Sequence, residues 1–201
     1  MCIFAAHYQS VIVMSQFEYK PRVADGVLEK KLKSSGAVLV EGPKWCGKTT
    51  TSEQHAKSIN YISDPVNLNK NMILAEMNIN ALLEGDKPKL LDEWQIIPQL
   101  WDAVRFEVDH SKGIGQFIMT GSAVPPDKEK QAKIHHTGTG RITSLRMRPM
   151  SLWESGESSG EVSLANLFDN PGIPIYSESK VLLEQIAFLI CRGGWPIATT
   201  L

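Results

Sequence analysis

Glycine, lysine and threonine residues that could together bind phosphate recur at fixed spacing between Gly42 and Thr49. The stretch reads Gly-Pro-Lys-Trp-Cys-Gly-Lys-Thr, and its two glycines permit positive φ and a close approach of the backbone to an anion. Lys48 would reach the β- and γ-phosphates of a nucleotide, and the hydroxyl of Thr49 would be a ligand for Mg²⁺. The pattern predicts a nucleotide-binding loop formed by Gly42, Pro43, Lys44, Trp45, Cys46, Gly47, Lys48, Thr49 and Thr50.

The elements around this loop are those that the motif requires. The apolar run from Ala37 to Val40 predicts a short buried strand before the loop, and a helix should begin near Lys48. The N-terminus of that helix would present partial positive charge to an anion. The alternative is a glycine-rich turn that binds nothing, and four fixed positions in this context make it the weaker interpretation.

A second site signature is the acidic pair that ends the apolar stretch Lys89–Leu91. Asp92, at the carboxyl end of a predicted strand, would hold the Mg²⁺ shell. Glu93 would take a proton from the attacking water as general base. The alternative is a solvated acidic strand end. The position downstream of the phosphate loop, beyond a predicted strand and helix, favours the functional interpretation.

Three further residues are candidates for sensing the γ-phosphate. The strand predicted over 116–122 ends in small hydroxyl residues, so either Thr120 or Ser122 could contact the γ-phosphate or the water, although a plain strand end is an equal alternative. Arg141 follows a polar segment rich in proline, lysine and glycine, and it is either an arginine finger, acting in cis or in trans, or a surface residue. Arg146 and Arg148 form a basic cluster with it that could face phosphate, nucleic acid or solvent.

Composition limits the class of protein and its partners. The chain has 201 residues, of which 42% are hydrophobic and 21% charged, with a net charge of −1. These values are ordinary for a soluble globular protein, and a near-neutral chain gives no general support to nucleic-acid binding. The three cysteines lie far apart, which fits a reducing cytoplasm. The longest apolar run, 186–191, is too short to cross a bilayer, so we expect a cytoplasmic protein without a membrane partner.

Strand and helix patterns alternate along the chain. Apolar spacing predicts helices near 23–32, 48–57, 67–83, 98–110 and 178–191, with strands near 37–40, 59–62, 89–92, 116–122 and 141–149. Such alternation predicts an α/β fold in which helices cover both faces of a mostly parallel sheet. The ligand should then lie at the carboxyl ends of the strands.

Several of these motifs occur together in an order that resembles the prokaryotic AAA-type ATPases usually described only as ATP-binding proteins. The resemblance spans roughly residues 17–197 and rests on Tyr19-Lys20-Pro21-Arg22, the phosphate loop, Leu91-Asp92-Glu93-Trp94-Gln95, Thr120-Gly121-Ser122, Gly140-Arg141 and Arg148-Pro149-Met150-Ser151. It implies a P-loop NTPase core, a three-layer α/β/α fold with about five parallel strands, that binds ATP and Mg²⁺ and could form a homo-oligomer. It also implies a division into a disordered leader (1–16), the ATP-binding domain (17–155) and the start of a truncated second domain (156–201).

Three functions compete at this stage. The first is a Mg²⁺-dependent ATPase, and the second is a nucleotide-gated binding module for DNA or a protein partner, with little turnover. The third is a small-molecule kinase with residues 127–148 as an arginine-bearing lid. The adjacent Asp92 and Glu93 favour activation of water over phosphorylation of a hydroxyl. A GTPase is disfavoured because no Asn-Lys-x-Asp motif follows the acidic strand.

Overall fold

Helices and strands alternate in the computed structural model, which describes residues 18–121 and 138–200. The leader predicted over 1–16, Ser122 and most of the segment before Arg141 lie outside the described residues. The strands are β1 (Ala37–Glu41), β2 (Ser58–Tyr61), β3 (Lys89–Asp92), β4 (Phe117–Gly121) and β5 (Ile142–Arg146). The helices are α1 (Val23–Leu32), α2 (Lys48–His55), α3 (Leu68–Asn78), α4 (Gln99–Ser111), α5 (Leu152–Ser155), α6 (Leu164–Asp169) and α7 (Leu183–Arg192), with short 3₁₀ turns at Ile79–Leu82, Trp94–Ile96 and Ala198–Thr200.

The five strands form one sheet in the order β2-β3-β4-β1-β5. Every pairing is parallel, so the carboxyl ends of all five strands lie at one edge of the sheet. Because β4 lies between β1 and β3, its last residues are placed between the phosphate loop and the acidic pair. The predicted α/β fold of the P-loop NTPase type is therefore confirmed, including the five-stranded parallel sheet.

Side chains on the two faces of the sheet form two separate apolar clusters, because successive residues of a strand point to opposite faces. On one face, Ala37, Leu91 and Phe117 belong to a buried cluster that includes Leu100 and Val104 of α4. The other cluster contains residues of the same strands at alternate positions, with Leu28 from α1: Val38, Val40, Leu90 and Ile118. Helices cover both faces, which gives the three layers.

Two helices have boundaries that differ from the sequence predictions, and two short helices were not predicted. The predicted helix 67–83 is α3 followed by a 3₁₀ turn, and the predicted helix 178–191 begins only at Leu183. The short helices α5 and α6 lie in a part of the chain, 152–169, for which the sequence predicts no helix. Ser151 and Ser163 cap these helices by accepting hydrogen bonds from backbone N–H groups three residues later. Such caps stabilise turns that are too short to show apolar periodicity.

None of the helices in the described ranges is long and apolar enough to span a membrane. The cytoplasmic location stays a prediction from the sequence.

Candidate functional site

The phosphate loop, residues 42–47, connects the carboxyl end of β1 to the first residue of α2. Its two glycines are required for different reasons. A Cβ atom at Gly42 would lie 2.3 Å from the backbone oxygen of Met147, so the loop could not approach the end of β5 with any other residue there. Gly47 has φ 97° at the helix N-cap, in the left-handed region that favours glycine. The sequence pattern thus corresponds to a closely packed loop.

The side chain of Lys48, the first residue of α2, turns back into the phosphate loop. Its side chain is buried, and Nζ donates hydrogen bonds to the backbone oxygens of Gly42 (3.0 Å) and Pro43 (2.9 Å). An ammonium has three donors, so these two carbonyls do not exhaust it. The charge is held inside the loop, where the motif predicts the phosphates.

A cluster of oxygen atoms joins the phosphate loop to the ends of β3 and β4. Thr49 Oγ1 donates to Asp92 Oδ1 at 2.7 Å, and Thr120 Oγ1 donates to the same oxygen at 2.5 Å. Asp92 and Thr120 are buried, and they are direct neighbours in the β3–β4 ladder. The structure therefore brings together the two predicted metal ligands, with the predicted sensor Thr120 beside them.

The donor set fits Mg²⁺ better than a transition metal. Within the described ranges there is no group of three or more His, Cys, Asp or Glu side chains that could hold a metal ion. Mg²⁺ is usually held by one or two carboxylates together with water and substrate phosphates, rather than by a complete protein cage. One carboxylate and one hydroxyl, from Asp92 and Thr49, match that requirement.

Glu93 has left-handed backbone angles, with φ 58° and ψ 45°, which are uncommon for a residue other than glycine. Its N–H donates to Thr120 Oγ1 at 3.3 Å, and its carboxylate accepts a short hydrogen bond from Gln95 Nε2. A Cβ atom at Gly121 would lie 2.3 Å from the side-chain oxygen of Gln95, so a larger residue at the end of β4 would displace the Gln95 side chain. The backbone turn takes Glu93 out of the line of β3, and Gln95 fixes its carboxylate.

Arg141 lies at the amino end of β5, on the edge of the sheet opposite to the phosphate loop. Its backbone oxygen accepts a hydrogen bond from Ala37, the first residue of β1, and its Nε donates to Asp109 Oδ1 at 2.5 Å. That hydrogen bond holds the pKa of Asp109 below its usual value. A strand of five residues spans about 17 Å. Arg141 therefore lies far from its own loop and is paired with Asp109 in this arrangement, which gives the in-cis alternative no support, and its role in cis, in trans or at the surface stays a prediction.

Two other arginines, at the carboxyl end of β5, place positive charge at the same edge of the sheet as the phosphate loop. Arg146 and Arg148 are exposed there, beside an open cleft of about 460 Å³ lined by residues 41–43 and 146–149. Glu41 pairs with Arg146 in the β1–β5 ladder, and a side-chain oxygen of Glu41 lies 3.9 Å from Arg146 Nη2. Arg146 and Arg148 are therefore nearer to the phosphate loop than Arg141, the predicted arginine finger.

Two loop residues between the glycines have contrasting positions. Trp45 is 74% exposed and has φ 68°, whereas Cys46 is completely buried with its Sγ 4.0 Å from the backbone oxygen of Met147. The burial of Cys46 favours an inert thiol over a reactive one, although the thiol lies in a loop before a helix N-terminus.

From the sequence, Arg22 had no role beyond its place in the family resemblance. In the structure its side chain contacts the phosphate loop directly. Its Nη1 donates to the backbone oxygen of Cys46 at 2.8 Å across a separation of 24 positions. No local pattern signals a contact at that separation. The one sequence feature that could have drawn attention to Arg22 is its position directly before a predicted helix.

A second polar network lies behind the loop and joins α1 to α2. The hydroxyl of Tyr19 donates to Asp25 Oδ1 at 2.7 Å and lies 3.1 Å from Thr51 Oγ1, and Asp25 also pairs with His55 at 3.0 Å. Burial opposes ionisation of Asp25, but hydrogen bonds from the Arg22 N–H, His55 and Tyr19 outweigh it and hold the Asp25 pKa below its usual value. This network fixes the far side of the helix that begins with Lys48.

The family model described as an AAA domain matches residues 34–155. The matched range begins just before β1 and ends with α5, so it includes the phosphate loop, the acidic pair, Thr120 and Arg141, whereas Arg22 lies outside it. None of the curated proteins with which the chain was compared matches it.

Proposed function

Because the chain belongs to the AAA domain family, we propose that it binds ATP with Mg²⁺ and hydrolyses ATP to ADP and phosphate. The observation that carries this proposal is the contact between Thr49 and Asp92, with 2.7 Å between hydroxyl and carboxylate oxygens. It joins a phosphate-binding loop to an acidic strand end, and phosphoryl transfer depends on such positioning of charges and metal ligands.

Binding of the triphosphate follows from the loop and from α2. The N–H groups at the start of a helix have no partners within the helix and carry partial positive charge, so they favour an anion. Lys48 lies inside the loop and would add a full charge, while Thr49 and Asp92 would hold Mg²⁺. The ion, when bound, neutralises charge on the β- and γ-phosphates.

Hydrolysis requires a base for the attacking water. In the proposed step Glu93 accepts a proton from water, whose oxygen bonds to the γ-phosphorus while the bond to the bridging β-γ oxygen breaks and ADP leaves. Gln95 would hold the carboxylate of Glu93 in place. Thr120 would link the two halves of the site, since its hydroxyl donates to Asp92 and accepts from the Glu93 N–H.

One observation favours the second candidate, a nucleotide-gated binding module with little turnover. The carboxylate of Glu93 is engaged by Gln95 Nε2. While this contact lasts, Oε2 of Glu93 is occupied by the amide and not by an attacking water. ATP binding that changes this contact would then act as a switch, and hydrolysis would be slow.

The deciding experiment measures ATP binding by calorimetry and phosphate release at steady state on the same sample, with and without Mg²⁺. Turnover that needs Mg²⁺ supports the ATPase. Tight binding with negligible release supports the binding module. If neither ATP nor ADP binds at millimolar concentration, both functions are excluded.

A further inference from the structure

The guanidinium of Arg22 is buried and forms hydrogen bonds with three separate segments of the chain. Its Nη1 donates to the Cys46 oxygen in the phosphate loop, and its Nη2 donates to the Arg148 oxygen beyond β5, both at 2.8 Å. Its Nε forms an ion pair of 2.9 Å with Glu154 in α5, and both side chains are almost fully buried, at 5% and 6% exposed. A buried charge needs such partners, and arginine offers donors in a fixed planar fork.

Glu154 is itself held from several directions. Its Oε1 also accepts from the N–H of Val23, and its Oε2 accepts from the N–H of Ser151 at 2.7 Å. Burial opposes ionisation of Glu154, but the hydrogen bonds from the Ser151 and Val23 N–H groups, the Ser151 hydroxyl and Arg22 outweigh it and hold its pKa below the usual value. The partner of Arg22 is thus a fixed carboxylate, and the guanidinium has little freedom to move.

The contact with Cys46 determines the orientation of one loop peptide. In a trans peptide the carbonyl and the following N–H point in opposite directions. Since the Cys46 oxygen points to Arg22, the N–H of Gly47 points away from Arg22. Gly47 is also the residue that makes room for the guanidinium, because a Cβ atom there would lie 3.0 Å from Arg22 Nη1.

We propose that Arg22, supported by Glu154, is a positioning residue that aims the Gly47 N–H at bound phosphate and fixes the segment after β5 against the loop. This inference rests on the proposed binding of ATP. Arg22 does not touch the nucleotide, since its three donor nitrogens are turned to the protein. It acts by removing the freedom of a glycine-containing peptide before the ligand arrives, which lowers the ordering cost of binding.

The test compares Arg22→Gln and Arg22→Lys with Arg192→Gln as a matched control. Arg192 also forms an ion pair, with Glu157, that is partly buried, with side chains 9% and 22% exposed, and the hydrogen bonds of Arg192 go to residues outside the loop. ATP affinity is measured by calorimetry, and the amide signal of Gly47 is followed by NMR during titration. Melting curves identify the temperature range in which each variant is folded.

We expect the wild type and Arg192→Gln to bind ATP equally, with a large shift of the Gly47 amide signal. Both Arg22 variants should bind ATP at least roughly tenfold more weakly, which is the scale of one misplaced hydrogen bond. Lysine at position 22 should not restore the affinity, because its single nitrogen cannot reach all three acceptors. If the Arg22 variants do not fold, Glu154→Gln, which keeps an acceptor for Val23 but loses the charge, should show the same effect in weaker form.

The outcomes separate this inference from the proposed function. Wild-type protein that binds no ATP overturns the proposed function, and the inference with it. Wild-type protein that binds ATP, beside folded Arg22 variants that bind equally well and shift the Gly47 signal equally, overturns the inference alone. A loss of melting temperature without a change in affinity would identify the ion pair as structural and would also overturn it.

Discussion

Thr49 donates a hydrogen bond of 2.7 Å to Asp92 although 43 positions separate them in the chain. The first residue belongs to the helix after the phosphate loop, and the second ends β3, which is not a neighbour of β1 in the sheet. Thr120, at the end of the intervening β4, reaches the same carboxylate oxygen.

Replacing Lys48 by alanine should weaken ATP binding by at least ~2 kcal/mol, because a charge-assisted contact with the phosphates is lost. Calorimetry measures the change directly. Lys70→Ala is a control outside the loop, since Lys70 is an exposed residue of α3. Equal affinity of wild type and Lys48→Ala would contradict the assignment of the phosphate loop.

Glu93→Gln should leave ATP binding intact and reduce turnover by ~10²-fold or more, the usual scale for removal of a general base. The amide keeps the size of the side chain but cannot accept a proton from water. Steady-state phosphate release gives the rate, and the exposed Glu76→Gln on α3 controls for a general effect of charge. A mutant as fast as wild type would show that Glu93 is not the base.

Asp92→Asn should raise the Mg²⁺ concentration needed for half-maximal phosphate release by roughly tenfold or more, the scale found for altered metal surroundings. The amide oxygen still accepts hydrogen bonds from Thr49 and Thr120, but the negative charge that attracts the ion is gone. The measurement is a MgCl₂ titration at saturating ATP, with chelator as the zero point. An unchanged Mg²⁺ requirement would remove Asp92 from the metal site.

Arg141 should act on the site of a neighbouring chain, if it acts on phosphate at all, since it lies at the opposite edge of its own sheet. Arg141→Ala chains mixed with Lys48→Ala chains should then recover part of the wild-type turnover, because one interface would combine an intact loop with an intact arginine. Activity per wild-type chain should also rise with protein concentration. No recovery on mixing, together with concentration-independent activity, would leave Arg141 as a surface residue paired with Asp109.

The network around Asp25 should make folding stability dependent on pH in the acidic range. The Asp25 pKa is lowered in the folded state, so its contribution is fully present above the unfolded value of about 3.9 and is lost as pH falls below it. Urea unfolding at several pH values should show Asp25→Asn less stable than wild type at pH 6 and less sensitive to acid. Asp86→Asn, an exposed position, serves as the control, and parallel pH curves for wild type and Asp25→Asn would refute the prediction.

Some features of the fold and of the site were predictable because they depend on neighbours in the sequence. The glycine spacing of the phosphate loop, the apolar runs of β1, β3 and β4, and the helical stripe that buries Leu100, Val104 and Val108 are local patterns set by backbone geometry. The short helices α5 and α6 were missed because a capping serine stabilises one turn without any periodicity. The left-handed backbone of Glu93 was also not predicted, because it accompanies a contact with Thr120, 27 positions away, that no local pattern signals.

By itself the sequence determined the five strands, the longer helices and the candidate residues for binding phosphate and Mg²⁺. The tertiary structure alone decided which of them meet. Strand order put β4 between the phosphate loop and Asp92 and so added Thr120 to the site. The direction of β5 put Arg141 at the edge of the sheet far from the phosphate loop and Arg148 at the edge near it. Arg22 and Glu154, 132 positions apart in the chain, became partners because a buried guanidinium needs a carboxylate beside it. Such pairings depend on which surfaces the packed layers bury together, a global property that no short stretch of sequence contains.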